Sequence, residues 1–216
     1  MSMDCSSDFL FVDPTVAPFR RALLNEIVAP RPIAWISTLD AEGRANLAPF
    51  SHFNVISSAP PMVMFACNTP TDRALKDTVS NAIATKEFVV NMASYPQRDE
   101  MVETSAPMAT GIDEFAQTGI AQAASRFVRP PRVALAPASL ECRLERVIII
   151  PGEGPGESDS QVVFGRVVGI QLRADLVDDR GRFQTLLAQP LGRLGGVDYV
   201  ATSETFTLPP RFRARD

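Results

Sequence analysis

The chain has 216 residues, 45% of them hydrophobic and 21% charged, close to ordinary globular composition, which excludes a disordered or fibrous protein. Lys and Arg number 21 against 25 Asp and Glu, a net charge of −4 with both signs interleaved, so the basic stripe of a nucleic-acid binder is missing. Three scattered cysteines and one histidine, His52, suit neither a disulfide framework nor a zinc site, and a hydrolase triad would have to run through His52 itself.

A chain of this length forms one core, so residues 1–216 are read as a single domain with 1–24 and 209–216 as peripheral arms. The opening Met1-Ser2-Met3-Asp4 lacks the basic and apolar regions of a secretory signal, and the cysteine usage points to a reducing, cytoplasmic compartment. Phe19 to Ile27 is helix-compatible. Ala34 to Leu39 reads as a strand, Asp40 to Gly43 as a turn, and Arg44 to Ala48 as the returning strand of a hairpin that Pro49 ends. Met62 to Cys67 is a short apolar run consistent with a buried strand.

Asp72 is a candidate cap for a helix whose Leu75, Val79, Ala82 and Ile83 form one apolar stripe. A strand at Phe88 to Met92 follows. Ser94-Tyr95-Pro96-Gln97 has the pattern of a capping box before a helix over Gln97 to Glu103, and Asp113 to Thr118 is a further short helix. In the second half, Leu140, Cys142 and Leu144 alternate with Glu141, Arg143 and Glu145, predicting a half-buried strand with the charged residues outward. The connector Pro151 to Ser160 leads to a long strand from Val162 to Leu172, in which Gly165 and Gly169 mark bending or close backbone approach. The fold class expected is mainly β with peripheral helices, a small barrel with helices packed outside.

The stretch Ala45 to Thr71 holds no Asp, Glu, Lys or Arg. Pro49, Pro60, Pro61 and Pro70, together with the side chains of Asn46, Ser51, Asn54, Ser57 and Ser58, rule out a membrane span. A wall against a neutral, polar, flat ligand has this composition, and so does an ordinary buried strand-and-loop region. Gly152 to Glu157 is no phosphate loop, because Pro155 lacks a donor and two glutamates repel phosphate; it reads as a hairpin tip. Arg73, Lys76 and Thr78 near a helix start are either a solvated face or a phosphate site.

The ordered blocks Arg31-Pro32-Ile33-Ala34-Trp35-Ile36-Ser37-Thr38 and Asn46 through Pro61 resemble the flavin reductase-like family of FMN-binding split barrels. The likeness continues through Lys76-Asp77-Thr78, Glu87 to Asn91, Ser105-Ala106-Pro107, Gly111 to Phe115 and Leu191 to Gly196, about residues 25–208. It implies a Greek-key split β-barrel that forms a homodimer, with FMN, or FAD as the alternative, near the interface. Asn46, Leu47, Ala48, Pro49, Phe50 and Ser51 would run beside the isoalloxazine. Phe53, Asn54, Ser57 and Ser58 would shape the pocket or meet the ribityl chain. Lys76 and Thr78 would meet the phosphate, with Asp77 orienting them. Phe50, Phe53 and Trp35 have a second reading as plain packing aromatics.

Where many short flavin reductases carry a C-terminal histidine, this chain has Arg193, a candidate contact for a nucleotide phosphate or anionic substrate, or a salt bridge at a dimer seam. The activity implied is NAD(P)H:flavin reduction, with hydride passed to flavin N5 and electrons onward to a monooxygenase or another redox partner. The alternative is a flavin-binding electron carrier, flavoredoxin-like, that a protein partner reduces.

Overall fold

The computed structural model describes residues 10–16, 20, 22–153 and 157–208. The expected arm at 209–216, much of that at 1–24, Cys5 and the Gly154–Gly156 tip lie outside the described residues. In chain order the elements are α1 (Ala22–Ile27), β1 (Arg31–Pro32), β2 (Ala34–Leu39), β3 (Ala45–Phe50), β4 (His52–Ser58), β5 (Pro61–Asn68), α2 (Asp77–Thr85) and β6 (Glu87–Met92). Then come α3 (Arg98–Glu103), α4 (Glu114–Thr118), β7 (Gln122–Ala123), β8 (Arg132–Val133), β9 (Ala138–Ile150), β10 (Ser160–Leu172), α5 (Thr185–Ala188), β11 (Leu191–Arg193) and β12 (Tyr199–Ala201).

Seven strands form one antiparallel sheet in the order β3-β2-β6-β9-β10-β5-β4. Its two edges, β3 and β4, are consecutive in the chain with only Ser51 between them. The sheet must therefore curl until its edges meet, joined by the chain rather than by a ladder, which is the split of a Greek-key split barrel. One interior cluster confirms the curl, since Ala34, Ile36, Phe50, Phe65, Phe88, Cys142 and Val163 enter it from six different strands. A second cluster, with Ile33, Trp35, Leu47, Met101 and Phe115, fills the space between the other face of β2–β3 and α3 and α4. Strand β2 is thus buried on both faces. Trp35 is fully buried there, and its indole Nε1 donates to the Thr104 hydroxyl at 2.9 Å.

The hairpin β2–β3 and the long hairpin β9–β10 form as the turn chemistry predicts, and Asp40 Oδ1 accepts from the backbone N–H groups of Glu42 and Arg44 in the first turn. Gly165 and Gly169 sit at register shifts of β10. A Cβ at Gly165 would fall 2.2 Å from Phe88 Cζ and one at Gly169 would fall 2.5 Å from Phe127 Cδ2, so both are close approaches that admit no side chain.

Four expectations are corrected. Pro49 does not end the ladder but pairs with Trp35, which an edge strand tolerates because its outer side needs no N–H. Helix α2 starts at Asp77, not after Asp72, and its N-cap Lys76 makes no side-chain cap; Asp72 pairs with Arg73 instead. Ser94 caps no helix with its side chain, and Tyr95–Gln97 is a 3-10 turn ahead of α3. Glu141 does not face outward: it is 2% exposed because residues 126–127 fold over that face of β9, and its carboxylate accepts from the N–H groups of Arg126 and Phe127. Among the described residues no helix is long and apolar enough to cross a membrane.

Candidate functional site

A cleft of ≈ 550 Å³ opens where the edge strand β3 faces the start of α2. This is within the range of small-molecule and cofactor sites. Asn46, Ala48, Pro49 and Phe50 form one wall, residues 70–73 and Lys76, Asp77 and Thr78 a second, and the segment Thr104–Met108 a third. Glu114 lies at its base.

The base is a closed polar network. Thr78 Oγ1 donates to Asn46 Oδ1 at 2.8 Å, and Asn46 Nδ2 donates to both oxygens of Glu114 at 2.9 Å. The backbone N–H of Leu47 completes it with a 2.8 Å bond to Glu114 Oε2. Burial pushes the Glu114 carboxyl pKa up, and the donors from Leu47 and Asn46 pull it partly back. Asn46 and Thr78 are 6% and 1% exposed, so their side chains hold the start of α2 against β3 and spend their hydrogen bonds within this network.

The rim is charged, with Arg73 and Lys76 set among Asp72 and Asp77. Arg73 reaches across to the third wall, donating to Asp77 Oδ1 at 3.0 Å, Thr110 Oγ1 at 2.8 Å and the Met108 carbonyl at 3.0 Å. Burial opposes its charge, but Asp77 and Asp72 outweigh that and hold its pKa above the ordinary arginine range. Asp77 also accepts from the Gly111 N–H at 3.3 Å. Lys76 is exposed, and its ammonium has no hydrogen bond or ion pair among the described residues.

Not every residue singled out in the sequence reaches the cleft. Leu47 is fully buried in the second cluster, and Phe53 packs against the barrel interior. Asn54, Ser57 and Ser58 lie on β4, whose residues do not line the cleft; Asn54 Oδ1 accepts from the Val55 N–H at 2.8 Å. His52 Nε2 meets Asn25 Oδ1 at 3.0 Å. Ser51 and Arg193 line a neighbouring cavity of ≈ 240 Å³ with Ile33, Pro49, Met101, Ser105 and Tyr199, and Pro49 and Ser105 are common to both spaces. The third wall and Glu114 are site residues that no local pattern in the sequence marks. Only the family likeness touches them, through Ser105-Ala106-Pro107 and Gly111 to Phe115, and it assigns them no role.

A neutral strand wall facing a helix start, on a curled split sheet, is the architecture of the split-barrel class. The chain belongs to the flavin reductase-like family, whose domain model matches residues 28–187. An uncharacterized protein of Aquifex aeolicus is 37% identical over 178 residues, 82% of this chain and 87% of the relative. Bacillus subtilis YwrF is 35% identical over 187 residues, 86% of this chain and 90% of the relative. Among solved structures, nitrilotriacetate monooxygenase component B of Bacillus cereus superposes with TM-score 0.85 at 28% identity, covering 94% of this chain and 100% of the other. The 2-nitrobenzoate 2-nitroreductase NbaA of Pseudomonas fluorescens gives TM-score 0.81 at 30% identity, covering 96% and 99%.

Proposed function

We propose that the cleft binds FMN and that the protein is an NAD(P)H-dependent flavin oxidoreductase. The observation that carries this reading is Lys76, an ammonium without a hydrogen bond or ion pair among the described residues, at the start of α2 and opposite the uncharged wall Asn46–Phe50. A phosphate at the helix start would meet that ammonium, the positive end of the helix dipole and backbone donors. A flat, neutral ring system would lie along Ala48, Pro49 and Phe50. The donor set therefore fits FMN, with FAD as the alternative flavin. Arg73 and Asp77 hold the third wall in place, and that wall limits access of water. Bound flavin would supply hydride acceptance, and the protein supplies orientation and exclusion of solvent.

A homodimer is supported by β4, an edge strand with Val55 61% and Ile56 44% exposed. A second copy seated there would bring Asn54, Ser57 and Ser58 into a shared site. Resemblance to a monooxygenase component B and to a nitroreductase supports onward transfer of electrons to an oxygenase partner or to a small acceptor. A reducing, cytoplasmic setting suits the free thiols of Cys67 and Cys142.

The test is the visible spectrum of the protein with FMN, recorded anaerobically before and after NADH and then NADPH. Bleaching by either nucleotide is expected. A second reading, an electron carrier reduced by a protein partner, is favoured by Arg193 standing where many short flavin reductases have histidine; bound flavin that stays oxidised with both nucleotides would select it. Failure to bind flavin overturns both.

A further inference from the structure

Arg31 on β1 and Arg193 on β11 are register partners of an antiparallel pair, so their side chains leave the same face, where like charges repel. Neither has a carboxylate partner among the described residues. Arg31 donates to the carbonyls of Asn25, Val28 and Leu194, and Arg193 to the Tyr199 hydroxyl and the Gly196 carbonyl while stacking on the Tyr199 ring. Glu26, the acidic residue nearest Arg31 in sequence, is taken by Arg20 at 2.7 Å. Arg31 is 8% exposed, and among the described residues its Nε is the only buried side-chain nitrogen or oxygen without a hydrogen-bond partner.

Two guanidinium groups brought together and left without a counter-charge are costly unless an anion joins them. It would sit in the cavity that Arg193 lines; Arg31 is not among the lining residues and stands behind Arg193 on the paired strand. No acidic residue lines the space around Arg193; Ser51, Ser105 and Tyr199 bring hydroxyls, and Ile33, Pro49 and Met101 an apolar surface for an organic body. Pro49 and Ser105 are also walls of the flavin cleft. Arginine's planar fork suits carboxylate and phosphate alike, and the bonds to Tyr199 and Gly196 leave N–H donors to spare.

We propose that Arg193, backed by Arg31, is a specificity-determining residue that binds the oxyanion, carboxylate or phosphate, of the small molecule exchanging electrons with the flavin next door. This rests on the flavin reading above. The FMN-loaded full chain and its R193Q and R193K variants are titrated calorimetrically with two pairs that differ in bearing an oxyanion, benzoate with benzamide and NADP+ with nicotinamide riboside, which has no phosphate. R193Q weakens the oxyanion-bearing member of one pair by about tenfold or more and leaves its partner unchanged, while R193K recovers part of the loss. Response of the benzoate pair assigns the site to an acidic acceptor, and response of the NADP+ pair assigns it to the phosphate of the donor.

Wild-type protein that binds neither oxyanion-bearing molecule, or prefers neither over its partner without the oxyanion, overturns the proposal, as does R193Q binding them as wild type does. Should R193Q fail to fold, the wild-type preference and its loss with added salt decide the matter. If wild type binds no FMN, the flavin reading fails instead, and the same titrations on the flavin-free chain still test Arg193.

Discussion

The side-chain amide of Asn46 donates to both carboxylate oxygens of Glu114 at 2.9 Å, tying the edge strand β3 to α4 across the base of the cleft. Glu114 is 7% exposed, and a buried carboxylate that loses its donor keeps its desolvation cost. Asn46→Ala therefore lowers stability by about 2–4 kcal/mol, whereas Glu114→Gln, which keeps an acceptor for the Leu47 N–H, costs about 1 kcal/mol. Urea unfolding of both variants checks this; equal, negligible effects would dissolve the network.

Lys76 reads out the phosphate end of the cleft. Lys76→Ala weakens FMN by about 1–3 kcal/mol and leaves riboflavin, which lacks the phosphate, unchanged. Fluorescence titration with the two flavins makes the comparison. A parallel loss for both would move the phosphate elsewhere.

His52 gives the fold a pH dependence of known sign. Burial, and after it the charge of Arg31, lower its pKa from 6.5. Between the lowered value and 6.5 the folded chain binds fewer protons than the unfolded chain. The contribution is present above 6.5 and is lost as pH falls through the folded value. His52→Gln flattens the acid side of the stability curve, measured as urea midpoints across that window, and an unchanged slope would place the proton elsewhere.

Gly165 is fixed by its neighbour rather than by its backbone angles. Gly165→Ala drives a methyl into the Phe88 ring and lowers stability by about 1–3 kcal/mol. Pairing it with Phe88→Leu restores part of that in thermal unfolding. Additive losses would show that the ring already moves aside.

The features legible in the chain are local or periodic: the β2–β3 hairpin, which Asp40 closes through its own neighbours' N–H groups; the short helix capped by Asp113; and the long strands β9 and β10 with their glycine close approaches. Each is written in contiguous residues, so turn chemistry and alternation suffice to read it. The neutral wall Asn46–Phe50 and Lys76 were legible through family likeness, because they fall in short ordered motifs. Tertiary structure alone decided the rest. Pro49 stays in its ladder because β3 is an edge, and Glu141 is buried because a distant loop covers it. Segment Thr104–Met108 becomes a wall of the cleft because Trp35 and Arg73 hold it there. Arg31 and Arg193 meet only when β1 and β11 pair. These relationships join residues remote in sequence, and no local pattern encodes which partner a strand edge or a buried charge will find.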